Sequence, residues 1–69
     1  MNRREAIALL GELGLNQLIS PNLVVLEERS AGIFQLRIRG DYSFKEIQMY
    51  LARRFCLEEN EGFLLIFSQ

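Results

Sequence analysis

The sequence predicts an α+β fold, a two-layer sandwich with the element order α-β-β-α-β and a single domain over residues 1–69. A hairpin pattern in residues 23–39 predicts the first two strands. Residues that cap helix N-termini occur near positions 2 and 43, so we expect one helix before the hairpin and one after it. A short apolar run near the C-terminus predicts a third strand.

The first helix is predicted to begin after Asn2, because Glu5 completes a capping box with it. Apolar residues then recur at helical spacing and predict a buried stripe formed by Ala6, Ile7, Leu10 and Leu13. Gly14 predicts a left-handed stop, after which Leu15 folds back onto the last turn. Pro21 lacks a backbone N–H, so any helix must end before it.

The hairpin is predicted to join strands 23–28 and 33–39 through a three-residue loop. Gly32 takes the third loop position, where the chain turns left-handed and a Cβ is costly. The resulting register makes one face apolar by setting two pairs opposite each other, Leu26 with Leu36 and Val24 with Ile38. The first strand is apolar on both faces up to Glu27, which predicts a central place in the sheet.

The second helix is predicted to begin after Ser43, which forms a capping box with Glu46. Its buried face is predicted to consist of Phe44, Ile47, Leu51 and Phe55. Arg53 and Arg54 fall in its last turns, where positive charge interacts favourably with the helix dipole. Residues 58–62 predict an acidic turn after this helix.

The third strand is predicted over residues 63–67, a continuous apolar run bounded by a glycine turn. A right-handed crossover through the second helix would place it beside the first strand. The predicted sheet therefore has three antiparallel strands in the order 2-1-3, with both helices on one face.

The other face of this sheet is predicted to stay open, since two helices cover only one side. The contact residues predicted on the open face are Leu23, Val25, Ile33, Arg37, Arg39, Leu64 and Ile66. The alternative orientation of the last strand would expose Phe63, Leu65 and Phe67 instead. Either choice leaves an apolar patch on the order of several hundred Å², as large as the largest patch usual on a monomer.

This surface favours a non-catalytic protein-interaction module that self-associates as a homodimer or binds another protein. The contact would use the open sheet face or the edge of the C-terminal strand, which has almost no charge to protect it. The alternative is a small domain that binds single-stranded nucleic acid, with Arg37 and Arg39 on phosphates and sheet aromatics on bases. The net charge of −1 argues against that alternative.

Residues that support catalysis or metal binding are sparse. Histidine is absent, which removes the commonest general base and metal ligand. Cys56 falls near the predicted end of a helix, where the dipole disfavours a thiolate, and is interpreted as structural. The glutamates at 58, 59 and 61 lack the spacing of a calcium loop. We therefore expect no enzymatic activity, no cofactor and no metal.

The single cysteine cannot form an internal disulfide, which favours a reducing, cytoplasmic setting. No apolar run approaches the roughly 20 residues that cross a bilayer, so we expect no membrane association.

Overall fold

The computed structural model describes residues 1–68 and contains two helices and four strands, together with one short 3₁₀ helix at Pro21–Leu23. Their order is α1 (Arg3–Leu15), β1 (Val24–Ser30), β2 (Ile33–Arg39), α2 (Phe44–Leu51), β3 (Cys56–Asn60) and β4 (Phe63–Phe67). The strands form one antiparallel sheet in the order β1-β2-β4-β3, and the fold is α+β. The predicted three-stranded sheet in the order 2-1-3 is therefore wrong.

Helix α1 begins as predicted. The Glu5 N–H donates to Asn2 Oδ1 at 2.8 Å, and the Asn2 N–H donates to Glu5 Oε1 at 2.9 Å, which completes the capping box. The buried stripe is rotated from the predicted one, because Leu9 is buried whereas Ile7 is 44% exposed. The helix therefore faces the sheet with Ala6, Leu9 and Leu13.

The end of α1 differs from the prediction. The helix continues through Gly14 to Leu15, and the left-handed residue is Gln17, with φ of 58°. Leu15 is 87% exposed and does not fold back onto the helix. Gly14 serves a different purpose, since a Cβ at this position would lie 3.0 Å from Pro21 Cγ. The missing side chain lets the proline ring pack against the helix.

The β1–β2 hairpin has the predicted register, with Leu26 opposite Leu36 and Val24 opposite Ile38. Gly32 is left-handed as predicted, with φ of 73°. The loop is tighter than predicted, because the pairing extends to the last residue of β1 and the register shifts by a bulge just before it. Strand β1 lies at an edge of the sheet, so its predicted central position is wrong.

Helix α2 is shorter than predicted. The Glu46 N–H donates to Ser43 Oγ at 3.3 Å, as expected for an N-cap. The helix ends at Leu51, because Ala52 has a φ of 54° that no α-helix can continue. Phe55 therefore lies outside the helix, and β3 begins at the next residue, Cys56.

Strand β3 occupies most of the segment predicted as an acidic turn. It is joined to β4 by a tight turn containing Gly62, whose φ is 85°. Strand β4 has the predicted bounds but pairs with β2 on one side and β3 on the other. The C-terminal strand therefore has no free edge, contrary to prediction.

Both helices pack on one face of the sheet. The buried core between the layers includes Ala6, Leu9 and Leu13 of α1, Ile47 and Leu51 of α2, and Leu36, Ile38, Leu64 and Ile66 of the sheet. Leu64 and Ile66 are 0% exposed, so their predicted position on the open face is wrong. The physical reason is register: they lie opposite Ile38 and Leu36, and residues opposite each other in an antiparallel pair share a face.

Neither helix formed by residues 1–68 has the length and apolar character needed to span a membrane.

Candidate interaction surface

The sheet face opposite the helices is called the open face below. Strand alternation places on it Val25 and Glu27 of β1, Ile33, Gln35, Arg37 and Arg39 of β2, Phe63, Leu65 and Phe67 of β4, and Cys56, Glu58 and Asn60 of β3. One row across the sheet consists of Val25, Arg37, Leu65 and Glu58. Leu65 is buried although no helix covers it, which shows that neighbouring side chains on this face fold over the sheet.

Two arginines cover the two phenylalanines of this face. The Arg37 guanidinium carbon lies 4.4 Å from the centroid of the Phe63 ring, and that of Arg29 lies 3.9 Å from the centroid of the Phe67 ring. Both distances are within the range of an attractive cation–π interaction. Arg29 is the residue at the bulge of β1, and this position lets its side chain reach across the sheet to β4.

Polar contacts connect the two arginines. Glu27 Oε1 accepts hydrogen bonds from Gln35 Nε2 at 2.5 Å and from Arg37 Nε at 3.1 Å. Gln35 Oε1 in turn accepts a hydrogen bond from Arg29 Nη1 at 2.8 Å. Gln35 is buried and both ends of its amide are bonded, so its burial leaves no polar atom unpaired.

This network has an electrostatic consequence for Glu27. The hydrogen bond and ion pair from Arg37 hold the pKa of the Glu27 carboxyl below its usual value, against a smaller opposing effect of burial. The ionised carboxylate accepts the Arg37 hydrogen bond and so positions the guanidinium over the ring of Phe63.

The exposed apolar residues lie on either side of this network. Val25 is 44% exposed and Ile33 is 46% exposed, and the bonded side chains of Glu27, Gln35 and Arg37 separate them. Leu23 is also exposed, and it packs on Gly40, where a Cβ would lie only 2.6 Å from Leu23 Cδ1. The single continuous apolar cluster predicted from the sequence therefore does not form.

The structure brings together some of the predicted contact residues and not others. Val25, Ile33, Arg37 and Arg39 share the open face, and Leu23 lies beside its edge strand. Leu64 and Ile66 belong to the core. The contact prediction left out Glu27, Arg29 and Gln35, whereas Phe63, Leu65 and Phe67 are the set that the alternative orientation of the last strand places on this face. The tight turn at Gly62 was the one signal that could have identified the β3–β4 hairpin and, through it, the orientation of β4.

A second polar cluster connects the two helices on the other side of the molecule. The Tyr50 hydroxyl donates to Glu12 Oε2 at 2.5 Å, and Arg54 Nη2 lies 3.0 Å from the same oxygen. The hydrogen bond from Tyr50 and then the contacts from Arg54 lower the pKa of the Glu12 carboxyl. The same hydrogen bond raises the pKa of Tyr50. Next to Tyr50, Met49 is 71% exposed on the outer surface of α2.

The residues considered for chemistry lie apart from one another. Cys56 is half-buried at the start of β3, opposite Phe67, and is not at a helix end. Within residues 1–68, no group of three acidic or cysteine side chains converges as a metal site would require. A shallow depression near the end of α1 is lined by Gly14, Gln17, Leu18, Ile19, Ser20, Pro21 and Asp41, and includes none of the predicted contact residues.

Comparisons with protein-family models, with curated proteins and with solved structures gave no match. The functional assignment therefore depends on the geometry described above.

Proposed function

We propose that this chain is a non-catalytic protein-interaction module whose contact surface is the open face of the sheet. The observation that carries the proposal is the difference between the two faces. Both helices pack against one face, while the other keeps two large aliphatic side chains exposed beside an ordered layer of arginine and phenylalanine.

The composition of this face supports a protein partner. Arginine and aromatic residues are enriched at protein interfaces, and both are present here in ordered positions. A hydrogen bond and an ion pair from Glu27 restrain Arg37, which reduces the side-chain entropy that binding a partner would cost. Val25 and Ile33 supply apolar area on both sides of this polar centre.

The proposal is tested by comparing the proteins retained by three baits: the wild type, Ile33→Glu, and Met49→Glu. Ile33 and Met49 are both exposed, so neither change introduces a charge into the core. A partner of the open face is expected to bind the wild type and Met49→Glu equally, and to bind Ile33→Glu at least about tenfold more weakly. Calorimetry with the purified partner measures that ratio. Loss of binding in Met49→Glu alone would place the contact on the helices and contradict the proposal.

Binding of single-stranded nucleic acid is the second candidate, and one observation favours it. Phe63 and Phe67 lie on the same face as Arg37 and Arg39, as a base-stacking sheet would require. Two features weaken it: the net charge is −1, and Arg37 already covers a ring and pairs with Glu27.

The second candidate is tested by fluorescence anisotropy of a single-stranded RNA at low salt. If RNA binds the open face, Arg39→Glu should abolish the binding. Arg53→Glu makes the same charge change after the end of α2 and should weaken the binding less. An equal loss in both variants would indicate nonspecific attraction, and no binding by the wild type would remove this candidate.

A further inference from the structure

The two edges of the sheet are protected to different degrees. Strand β3 has five residues, of which Glu58 and Glu59 are exposed and charged. Strand β1 begins with three uncharged apolar residues, Val24, Val25 and Leu26, before its first glutamate. Charge on an edge strand discourages pairing with another chain, so the first three residues of β1, ahead of the charged segment 27–29, are the longest uncharged stretch on either edge.

The helix layer leaves apolar surface beside the same edge. Helix α1 packs over β1 and β2, and its C-cap residue Asn16 donates to the Tyr50 hydroxyl of α2. Ile7 precedes Asn16 by nine residues, which is about two and a half helical turns. Ile7 therefore points away from α2, on the outer side of α1, and it is 44% exposed.

From these observations we infer that a second copy of this chain pairs with β1, antiparallel, to form a continuous eight-stranded sheet. The two-fold axis passes through Val25, so Val25 faces its own counterpart and Val24 faces Leu26 of the second copy. In this register the apolar residues of one copy lie opposite the apolar residues of the other on both faces of the sheet. A register centred on Glu27 would instead oppose two carboxylates.

Pairing β1 with β3 is the main alternative, and the register that aligns the charged residues of the two strands would bring Glu27 and Glu28 against Glu58 and Glu59. Such a contact would also be heterologous and would extend into an open chain of molecules, whereas pairing through β1 closes as a dimer. The inference goes beyond the proposed function, since it keeps protein binding as the role of the chain but names a second copy as the partner and the β1 edge, not the open face, as the contact.

The test is sedimentation equilibrium of the wild type, Val25→Lys, Val25→Glu, and an equal mixture of the two variants. The wild type is expected to reach twice the chain mass of 8.0 kDa as its concentration rises. Each variant alone sets like charges opposite each other and loses apolar contact, which weakens the dimer roughly tenfold or more. In the mixture a lysine faces a glutamate, so the dimer is expected to return. Circular dichroism of each variant confirms that it is folded.

Several outcomes would overturn the inference. A wild type that stays monomeric up to about 1 mM would exclude the dimer and leave the open face to bind a different protein. A mixture that stays monomeric would exclude the pairing of Val25 with its counterpart. A dimer that is broken by Ile33→Glu but survives both Val25 variants would place the contact on the open face. That last result would support the proposed function while excluding the edge pairing.

Discussion

Arg37 lies over the ring of Phe63, with its guanidinium carbon 4.4 Å from the ring centroid. The same guanidinium forms an ion pair with Glu27 at 3.1 Å, so one side chain from β2 connects both neighbouring strands on the open face. The ion pair fixes the position of the arginine, and the arginine covers an apolar ring. The open face is therefore neither a plain apolar patch nor a layer of free charges.

Replacing Arg37 with methionine is expected to lower the free energy of unfolding by about 1 kcal/mol, through loss of the ring contact and the ion pair. Urea denaturation measures the difference. Arg39→Met is the matched control, since Arg39 is exposed and makes no ion pair or ring contact within residues 1–68. It should change stability by less than about 0.5 kcal/mol. Equal effects of the two changes would show that the Arg37 contacts contribute nothing.

Acid should destabilise the protein partly through Glu27. Because Arg37 holds the pKa of Glu27 below its usual value of 4.5, the unfolded state takes up a proton at higher pH than the folded state does. This contribution to stability is complete above the unfolded pKa and is lost as the pH falls through the folded pKa. We expect Glu27→Gln to lose less stability between about pH 6 and pH 3 than the wild type. Arg37→Gln should reduce the slope too, and an unchanged slope in both variants would exclude this coupling.

The orientation of β4 can be tested with one chemical change at two positions. Leu64→Ala removes a fully buried side chain and should cost about 2–5 kcal/mol. Leu23→Ala removes the same atoms from an exposed position and should cost less than half as much. Thermal or urea unfolding compares the two. Similar costs would mean that Leu64 lies on the surface, as the sequence predicts.

The two glycines of α1 should respond differently to alanine. Beyond its chain neighbours and the backbone of its own helix, a Cβ added at Gly11 would meet no atom within 4 Å, so Gly11→Ala should stabilise the protein by about 0.5–1 kcal/mol through helix propensity. At Gly14 a Cβ would lie 3.0 Å from Pro21 Cγ, and Gly14→Ala should gain less or lose stability. Differential scanning calorimetry gives the order of the two variants. A larger gain at Gly14 would show that the proline ring moves away without cost.

Local signals at the starts of the helices and at the first hairpin predicted local structure well, whereas those at the ends of the helices did not. The capping box of Asn2 and Glu5, the cap at Ser43 and the left-handed Gly32 all formed. Each depends on hydrogen bonds or backbone angles within a few residues, so no distant part of the chain is needed to specify it. The bounds of β2 were predicted for the same reason, since apolar and polar residues alternate from Phe34 to Arg39.

The candidate site was predicted less well, because its composition depends on the partner of each strand. All five residues of β4 are apolar, so the strand shows no alternation that would indicate which of its faces is buried. Strand β3 contains two adjacent glutamates and resembles a turn in composition, although Leu57 packs against the core. Because β3 was not predicted, its hairpin with β4 was not predicted either. The prediction therefore placed β4 beside β1, whereas it lies between β2 and β3.

Contacts between residues close in the chain specify where the helices start, where the first hairpin turns and how its strands pair, so these features could be predicted from the order of residues alone. The neighbour of β2 depends instead on packing between distant segments. Through the register of that pairing, Leu64 and Ile66 enter the core while Phe63 and Phe67 meet the arginines. Antiparallel pairing gives opposite residues a common face, and a strand that is apolar on both faces carries no local pattern to choose its partner.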